Sequence, residues 1–265
     1  MASDDLGHPV ALAAPPRRVV SLVPSITEAL ALSRPERIVG ATEFCVRPAD
    51  LAERAGHRVL RVAGPKNPDL AAITALAPDL VVANKEENRR EDVEALRSSG
   101  VPVWVTDMNT VDEALASMGR LFRAALGLPG PPGWLVAARR AWQTPDEPVV
   151  APVVVCVWRD PWMVIGPRTY SADLLRRCGF PLEPLDVPGW PTERYPAVSP
   201  DTIRGCGTRT IVLLDAPYPF APDDGPECFP GRDVRILPER PVVWYGPGMV
   251  DARDRIRALL GPRPA

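Results

Sequence analysis

The sequence predicts an α/β protein with two lobes, each built on a parallel sheet. Three observations carry that prediction. Short, continuous apolar runs alternate with segments of helical spacing along most of the 265 residues, as expected for strands buried on both faces. Dense polar loops follow several of these runs, and open parallel sheets bind their ligands at such carboxyl ends. A Gly- and Pro-rich break near the middle separates two halves of similar plan.

The elements follow in order. Residues 18–23 (RVVSLV) read as a strand ended by Pro24, and Ser25 with Glu28 has the spacing of a capping box that starts a helix. Residues 38–41 form a short second strand. Asn67, Pro68 and Asp69 open a helix that Pro78 stops, and residues 80–83 form a third strand. A polar loop, another helix and the strand 103–105 come next. Thr110 and Glu113 form a second capping box. Beyond it Val111, Leu115, Met118, Leu121, Phe122 and Leu126 share one helical face.

The segment GLPGPPG (127–133) interrupts the pattern, residues 134–143 read as a helix, and TPDEP (144–148) interrupts it again. The expected organisation is therefore an N-terminal α/β lobe over 1–127, a connector with its helix over 128–147, and a C-terminal α/β lobe over 148–265. In the second half, 149–157 and 163–165 are strands. Ser171 caps a helix over 172–178 that Gly179 ends. Ser199, Pro200 and Asp201 supply a cap, a first-turn proline and a first-turn acid. Strands at 211–214 and 234–237 and a helix over about 250–260 close the chain.

Composition excludes several classes. A net charge of −2, with scattered Arg-Arg pairs, argues against a nucleic-acid partner. No segment approaches the roughly 20 apolar residues of a membrane span, so membrane insertion is not expected. Pro accounts for 34 residues, most of them between positions 129 and 247, where they mark loops. The amino terminus lacks the pattern of a signal peptide, and the five cysteines form no CxxC pair. Together these predict a cytoplasmic, reduced protein.

Catalytic signatures are sparse. There are two histidines, His8 and His57, and no GxSxG, P-loop or HExxH motif. Glu43, Cys45 and His57 are the nearest approach to a metal set, and they fall short of the four ligands of a structural zinc; no metal site is predicted. A ligand surface is better supported, because strand ends deliver Ser25 and Thr27, Glu43 and Phe44, Lys66 and Asn67, and residues 84–88. The second half adds Trp158, Arg159, Asp160, Trp162, Tyr170, Tyr195 and Tyr245.

The residues also carry a resemblance. DDLGHPVALAAPPRRVVSLVPSITEAL, IVGATEFCVRP, NPDLAAITALAPDLVVA and RYPAVSPDTI resemble the helical-backbone metal receptors. This family of class III periplasmic-binding-protein-like receptors comprises the two-lobed binding proteins for cobalamin, haem and iron-siderophore complexes, and the cobalamin-binding members are the most similar. The resemblance runs from about residue 5 to residue 260.

It implies two Rossmann-like lobes with central parallel sheets, joined by a single backbone helix, with the ligand in the cleft between the lobes. The expected function is non-enzymatic binding of a metal-containing small molecule, cobalamin or another corrinoid first, then haem or an iron-siderophore complex, with no cofactor required. The expected ligand contacts are Ser25, Glu43, Phe44, Lys66, Asn84, Lys85, Trp158, Arg159, Tyr195 and Tyr245. Pro65 and Asn84 stand where cobalamin-binding members carry tryptophans, Tyr195 keeps an aromatic, and Lys66, Lys85 and Arg159 are available to anionic groups. Transporter-coupled members place one acid on each lobe to meet an ABC permease. Asp201 matches the second, whereas the first falls on Ala71, two positions after Asp69; Asp69 and Asp201 are the candidate docking residues. Two alternatives stay open: a transporter component exported by an unrecognised route, and an enzyme on the same scaffold using Glu43, Glu86 or Glu87 as base.

Overall fold

The computed structural model describes residues 2–261. They form two units. One comprises Met1–Asp107, Glu113–Ala138 and Tyr245–Pro247, and the other comprises Met108–Asp112, Arg139–Trp244 and Gly248–Ala265.

Unit 1 is built on a five-stranded parallel sheet of β1 (Val19–Ser21), β2 (Ile38–Ala41), β3 (Leu60–Arg61), β4 (Leu80–Asn84) and β5 (Val103–Thr106). Their spatial order is β3-β2-β1-β4-β5, so the direction of winding reverses between β1 and β4. Every residue of β1, β4 and β5 is buried, which is why these strands read as unbroken apolar runs. One face packs Val20, Leu22, Val81, Ala83 and Val103 against Ile73, Val93 and Leu96 of the helices α3 (Leu70–Ala75) and α4 (Arg90–Ser98). Ile73 is the one fully buried residue of α3; burying such a side chain contributes roughly 1.5–3 kcal/mol.

The caps show how local chemistry sets the boundaries. Asp69 starts α3 by accepting from the Ala72 amide at 2.9 Å. Helix α1 (Pro24–Ala31) starts two residues earlier than the Ser25/Glu28 box implies: Val23 is its N-cap and no side chain caps it. Pro24 occupies the first turn, where it forfeits no hydrogen bond, and Ser25 already lies inside the helix. The strand β3 is two residues long and carries no readable pattern.

Unit 2 holds β6 (Val153–Trp158), β7 (Met163–Val164), β8 (Thr210–Leu214) and β9 (Asp233–Leu237) in the order β7-β6-β8-β9. β6, β8 and β9 run parallel, and β7 is an antiparallel edge with a bulge in its pairing to β6. The core packs Val154, Cys156, Ile211 and Leu213 with Trp162, Ile203, Phe220 and Phe229. Ser199 caps α8 (Pro200–Gly205) by accepting from Thr202 N at 3.1 Å. For α7 (Tyr170–Arg177), the cap is Thr169 and not Ser171. Thr169 Oγ1 accepts from Ala172 N and also donates to Gly166 O at 2.9 Å, a second partner unavailable to a residue inside the helix.

The chain crosses between the units after Asp107, Asp112, Ala138, Trp244 and Pro247, and two of these crossings fall inside α-helices. α5 (Val111–Arg120) runs on into a π-helical turn at Leu121–Ala125, and the division falls after Asp112. In α6 (Gly133–Trp142) the division falls after Ala138.

Candidate functional site

In unit 1 the loops that follow β1, β2 and β4 lie at the carboxyl ends of the sheet, beside the place where winding reverses. Two asparagines organise them. Asn84, at the end of β4, is 2% exposed. Its Nδ2 donates to Thr106 Oγ1 at 3.1 Å and Thr106 O at 3.2 Å. Its Oδ1 accepts from Glu86 N at 2.8 Å and Glu87 N at 3.3 Å. Asn88 returns the clasp: its Oδ1 accepts from Asn84 N at 2.8 Å and its Nδ2 donates to Pro65 O at 2.9 Å. Such Asx geometry gives a loop the hydrogen bonds that regular structure would otherwise supply.

The other expected contacts of unit 1 group around this clasp. Lys66 Nζ donates to Glu86 O at 2.6 Å, and Lys85 Nζ pairs with Asp107 Oδ2 at 2.7 Å. The Tyr245 hydroxyl donates to Glu87 Oε1 at 3.4 Å. Arg61 Nη1 donates to Thr42 O and Cys45 O, which pins the turn bearing Glu43 and Phe44. Both of those side chains are exposed, Phe44 to 61%. Ser25 is buried, and its Oγ has no hydrogen-bond partner among the described residues. Asp69 is committed to capping α3.

Cys45 lies buried among Thr27 Oγ1 at 3.0 Å and Thr42 Oγ1 at 3.1 Å. Burial pushes its thiol above the usual value, against the pull of those two hydroxyls. His57 is exposed, with its ring nitrogens 3.2 Å from Arg58 O and Glu36 O. Glu43 is likewise at the surface, and among the described residues no three His, Cys, Asp or Glu side chains converge as metal ligands. A cavity of about 330 Å³, bordered by Arg18, Val39, His57, Arg58, Leu60 and Leu76, sits at the opposite, amino-terminal ends of the strands.

In unit 2 the carboxyl end of β6 delivers Trp158 and Arg159. Trp158 is 39% exposed, edge-on to Tyr218 at 5.7 Å between ring centroids. Arg159 pairs with Asp224 and with Glu227 Oε1 at 2.6 Å, and its guanidinium lies 5.6 Å from the Trp162 ring. Trp162 is core, stacked on Phe220 at 5.4 Å and edge-on to Phe229 at 5.0 Å. Tyr195 is half-buried on the segment before α8, and Asp201 is an exposed first-turn acid paired with Arg204. All three cations read as available to anions are thus engaged within their own unit.

Sequence reasoning read Asn88 only as part of the polar run 84–88, and it did not single out Thr106, Tyr218, Phe220, Asp224 or Glu227. The last four occupy the segment APYPFAPDDGPECFP that follows β8. Aromatic and acidic residues after a parallel strand were the signal for them.

No family model matches the chain. Curated relatives include the vitamin B12-binding proteins of Pectobacterium carotovorum subsp. carotovorum and Vibrio parahaemolyticus. Each is 31% identical, over 107 and 108 residues respectively, or 40% of this chain. The match spans only 37% and 38% of those relatives' own length.

Solved structures align over far more. The periplasmic vitamin B12-binding protein BtuF of Vibrio cholerae matches with a TM-score of 0.69 at 18% identity, over 93% of this chain and 97% of that one. The periplasmic haem-binding protein RhuT of Roseiflexus sp. RS-1 gives 0.70 at 19% identity, over 92% and 97%. CeuE of Helicobacter pylori with Ni(II) bound gives 0.76 at 17% identity, over 98% and 88%.

These comparisons correct one expectation. The solved B12- and haem-binding relatives are periplasmic, so the cytoplasmic placement drawn from the amino terminus and the cysteines is withdrawn. A removable leader decides export and the folded part does not. The relatives are named as binding proteins and not as enzymes. In its fold, the chain is a two-lobed α/β protein of the kind seen in the periplasmic vitamin B12-, haem- and iron-binding proteins.

Proposed function

We propose that this protein binds a metal-containing small molecule and releases it unchanged, with a corrinoid the first choice and haem or an iron-siderophore complex next. The observation that carries this reading is the 31% identity to vitamin B12-binding proteins. It is supported by rims at the carboxyl ends of the parallel strands that combine exposed aromatic rings with loops already ordered by buried amides. Loops fixed in advance lose little conformational entropy when a guest arrives.

On this reading Glu43 and Phe44 are what the rim of unit 1 offers a guest, and Trp158 and Tyr195 are what the rim of unit 2 offers. Ser25, Lys66, Asn84, Lys85, Arg159 and Tyr245 shape the rims that carry them. Asp69 and Asp201 are proposed to meet an ABC permease, since both are exposed at the starts of short helices.

The test is a panel of cyanocobalamin, haemin and a ferric siderophore mixed with the purified chain. Binding is read as a shift of the visible absorption band and as thermal stabilisation, about 2.7 kcal/mol at a hundredfold excess over Kd. The expected result is a response to at least one probe, strongest for cyanocobalamin. Silence toward all three refutes the reading.

A further inference from the structure

The rim of unit 2 sets one guanidinium among three carboxylates. Arg159 Nη1 donates to Asp224 and to Glu227 Oε1, and its Nε lies 3.8 Å from Asp160 Oδ2. Each of the two main acceptors has further donors. Tyr218 Oη donates to Asp224 Oδ2 at 2.7 Å, and Gly225 N donates to Glu227 Oε2. Desolvation pulls the Glu227 carboxyl upward, but its own and the Gly225 backbone N–H, together with Arg159, hold it below the usual carboxylate range. One guanidinium among three carboxylates leaves the cluster with a formal net negative charge. Directly beside it stands the half-exposed Trp158 ring, in edge contact with Tyr218.

The consequences for a guest are opposite in sign for the two charge classes. A chelate with carboxylate arms meets uncompensated negative charge, and it gains Arg159 only by displacing carboxylates that already hold it. A neutral or cationic chelate meets an aromatic face and a field that attracts it. Repulsion of this kind sets specificity by penalising the wrong partner.

We propose that Arg159 is a positioning residue, tying the segment after β8 to the end of β6, and that the rim it holds together selects neutral or cationic metal chelates against anionic ones. This rests on the binding reading above and names the chemical class of its guest.

The test uses the intact chain and three pairs of probes that differ only in carboxylates. These are cyanocobalamin and its monocarboxylic acid, haemin dimethyl ester and haemin, and the N-acetyl and N-succinyl derivatives of ferrioxamine B. Affinities are read by quenching of tryptophan fluorescence at about 20 and about 300 mM salt, which span weak and strong screening. Within every pair that binds, the anionic member is expected to be about tenfold weaker at low salt, with the gap closing at high salt. Glu227→Gln removes one exposed negative charge and is expected to shrink the gap about threefold at low salt. An anionic member that binds equally or more tightly, or a gap untouched by both salt and Glu227→Gln, overturns the selectivity and leaves the binding reading standing. If no pair binds at all, both fall.

Discussion

The two rims are built from different materials. In unit 1, neutral amides hold the loops: Asn84 and Asn88 exchange hydrogen bonds with each other, with Thr106 and with backbone groups, all largely out of water. In unit 2 an exposed ionic cluster, Arg159 with Asp224 and Glu227, ties two segments together beside stacked rings. Buried neutral hydrogen bonds are insensitive to salt, and losing one partner leaves the other unsatisfied. Exposed ion pairs are screened and contribute little to stability. The first rim is therefore the stability-critical one, and the second is the one that senses charge.

The contrast breaks most sharply at Asn84. Asn84→Ala removes the acceptor for two loop amides and the donor to Thr106, and the expected loss is about 2–4 kcal/mol in denaturant unfolding. A loss no larger than that of a surface substitution would mean that the amide clasp is dispensable. Gly246→Ala follows. Gly246 has φ +110 and belongs to unit 1, and an added Cβ would lie 3.3 Å from Ser25 O. The expected cost is about 1–3 kcal/mol, read from the same unfolding curves.

The smallest effect concerns pH. Glu239, in unit 2, is half-buried, accepts from Trp244 Nε1 at 3.0 Å, and through its backbone N–H donates to Asp215 Oδ1. Desolvation, helped by the Asp215 charge, raises its carboxyl above the ordinary 4.5, against the Trp244 hydrogen bond. The folded state then binds the proton more tightly than the unfolded chain does. The contribution of Glu239 is full below 4.5 and is lost as pH rises through the raised folded value. Glu239→Gln keeps an acceptor for Trp244 and removes the titration. The stability of wild type relative to this variant is expected to fall as pH increases over that interval, and a pH-independent difference would contradict it.

Much of the fold is legible because the strands are buried on both faces. The runs at 80–84, 103–106 and 210–214 have no polar alternation to confuse them with edge strands, and Asp69 and Ser199 are caps with side chains suited to the task. The misses have physical causes. Pro24 takes the first helical turn, so the serine after it cannot cap. Thr169 outcompetes Ser171 through a contact to Gly166 that no local pattern encodes. At the rims, residue types were readable but their partners were not. Arg159 reads as a spare cation because Asp224 and Glu227 lie 65 and 68 positions away. Asn84 reads as a ligand contact because nothing in its neighbourhood announces Thr106.

The stretch Tyr245–Pro247 completes unit 1 although it lies close to the carboxyl terminus. Tyr245 reaches Glu87 across 158 positions of sequence. A nascent chain leaving the ribosome therefore exposes nearly all of the first unit while its final piece is still unsynthesised. Severing the gene at the proline-rich break would leave the leading fragment without that piece, so fragment complementation has to return it from the trailing half.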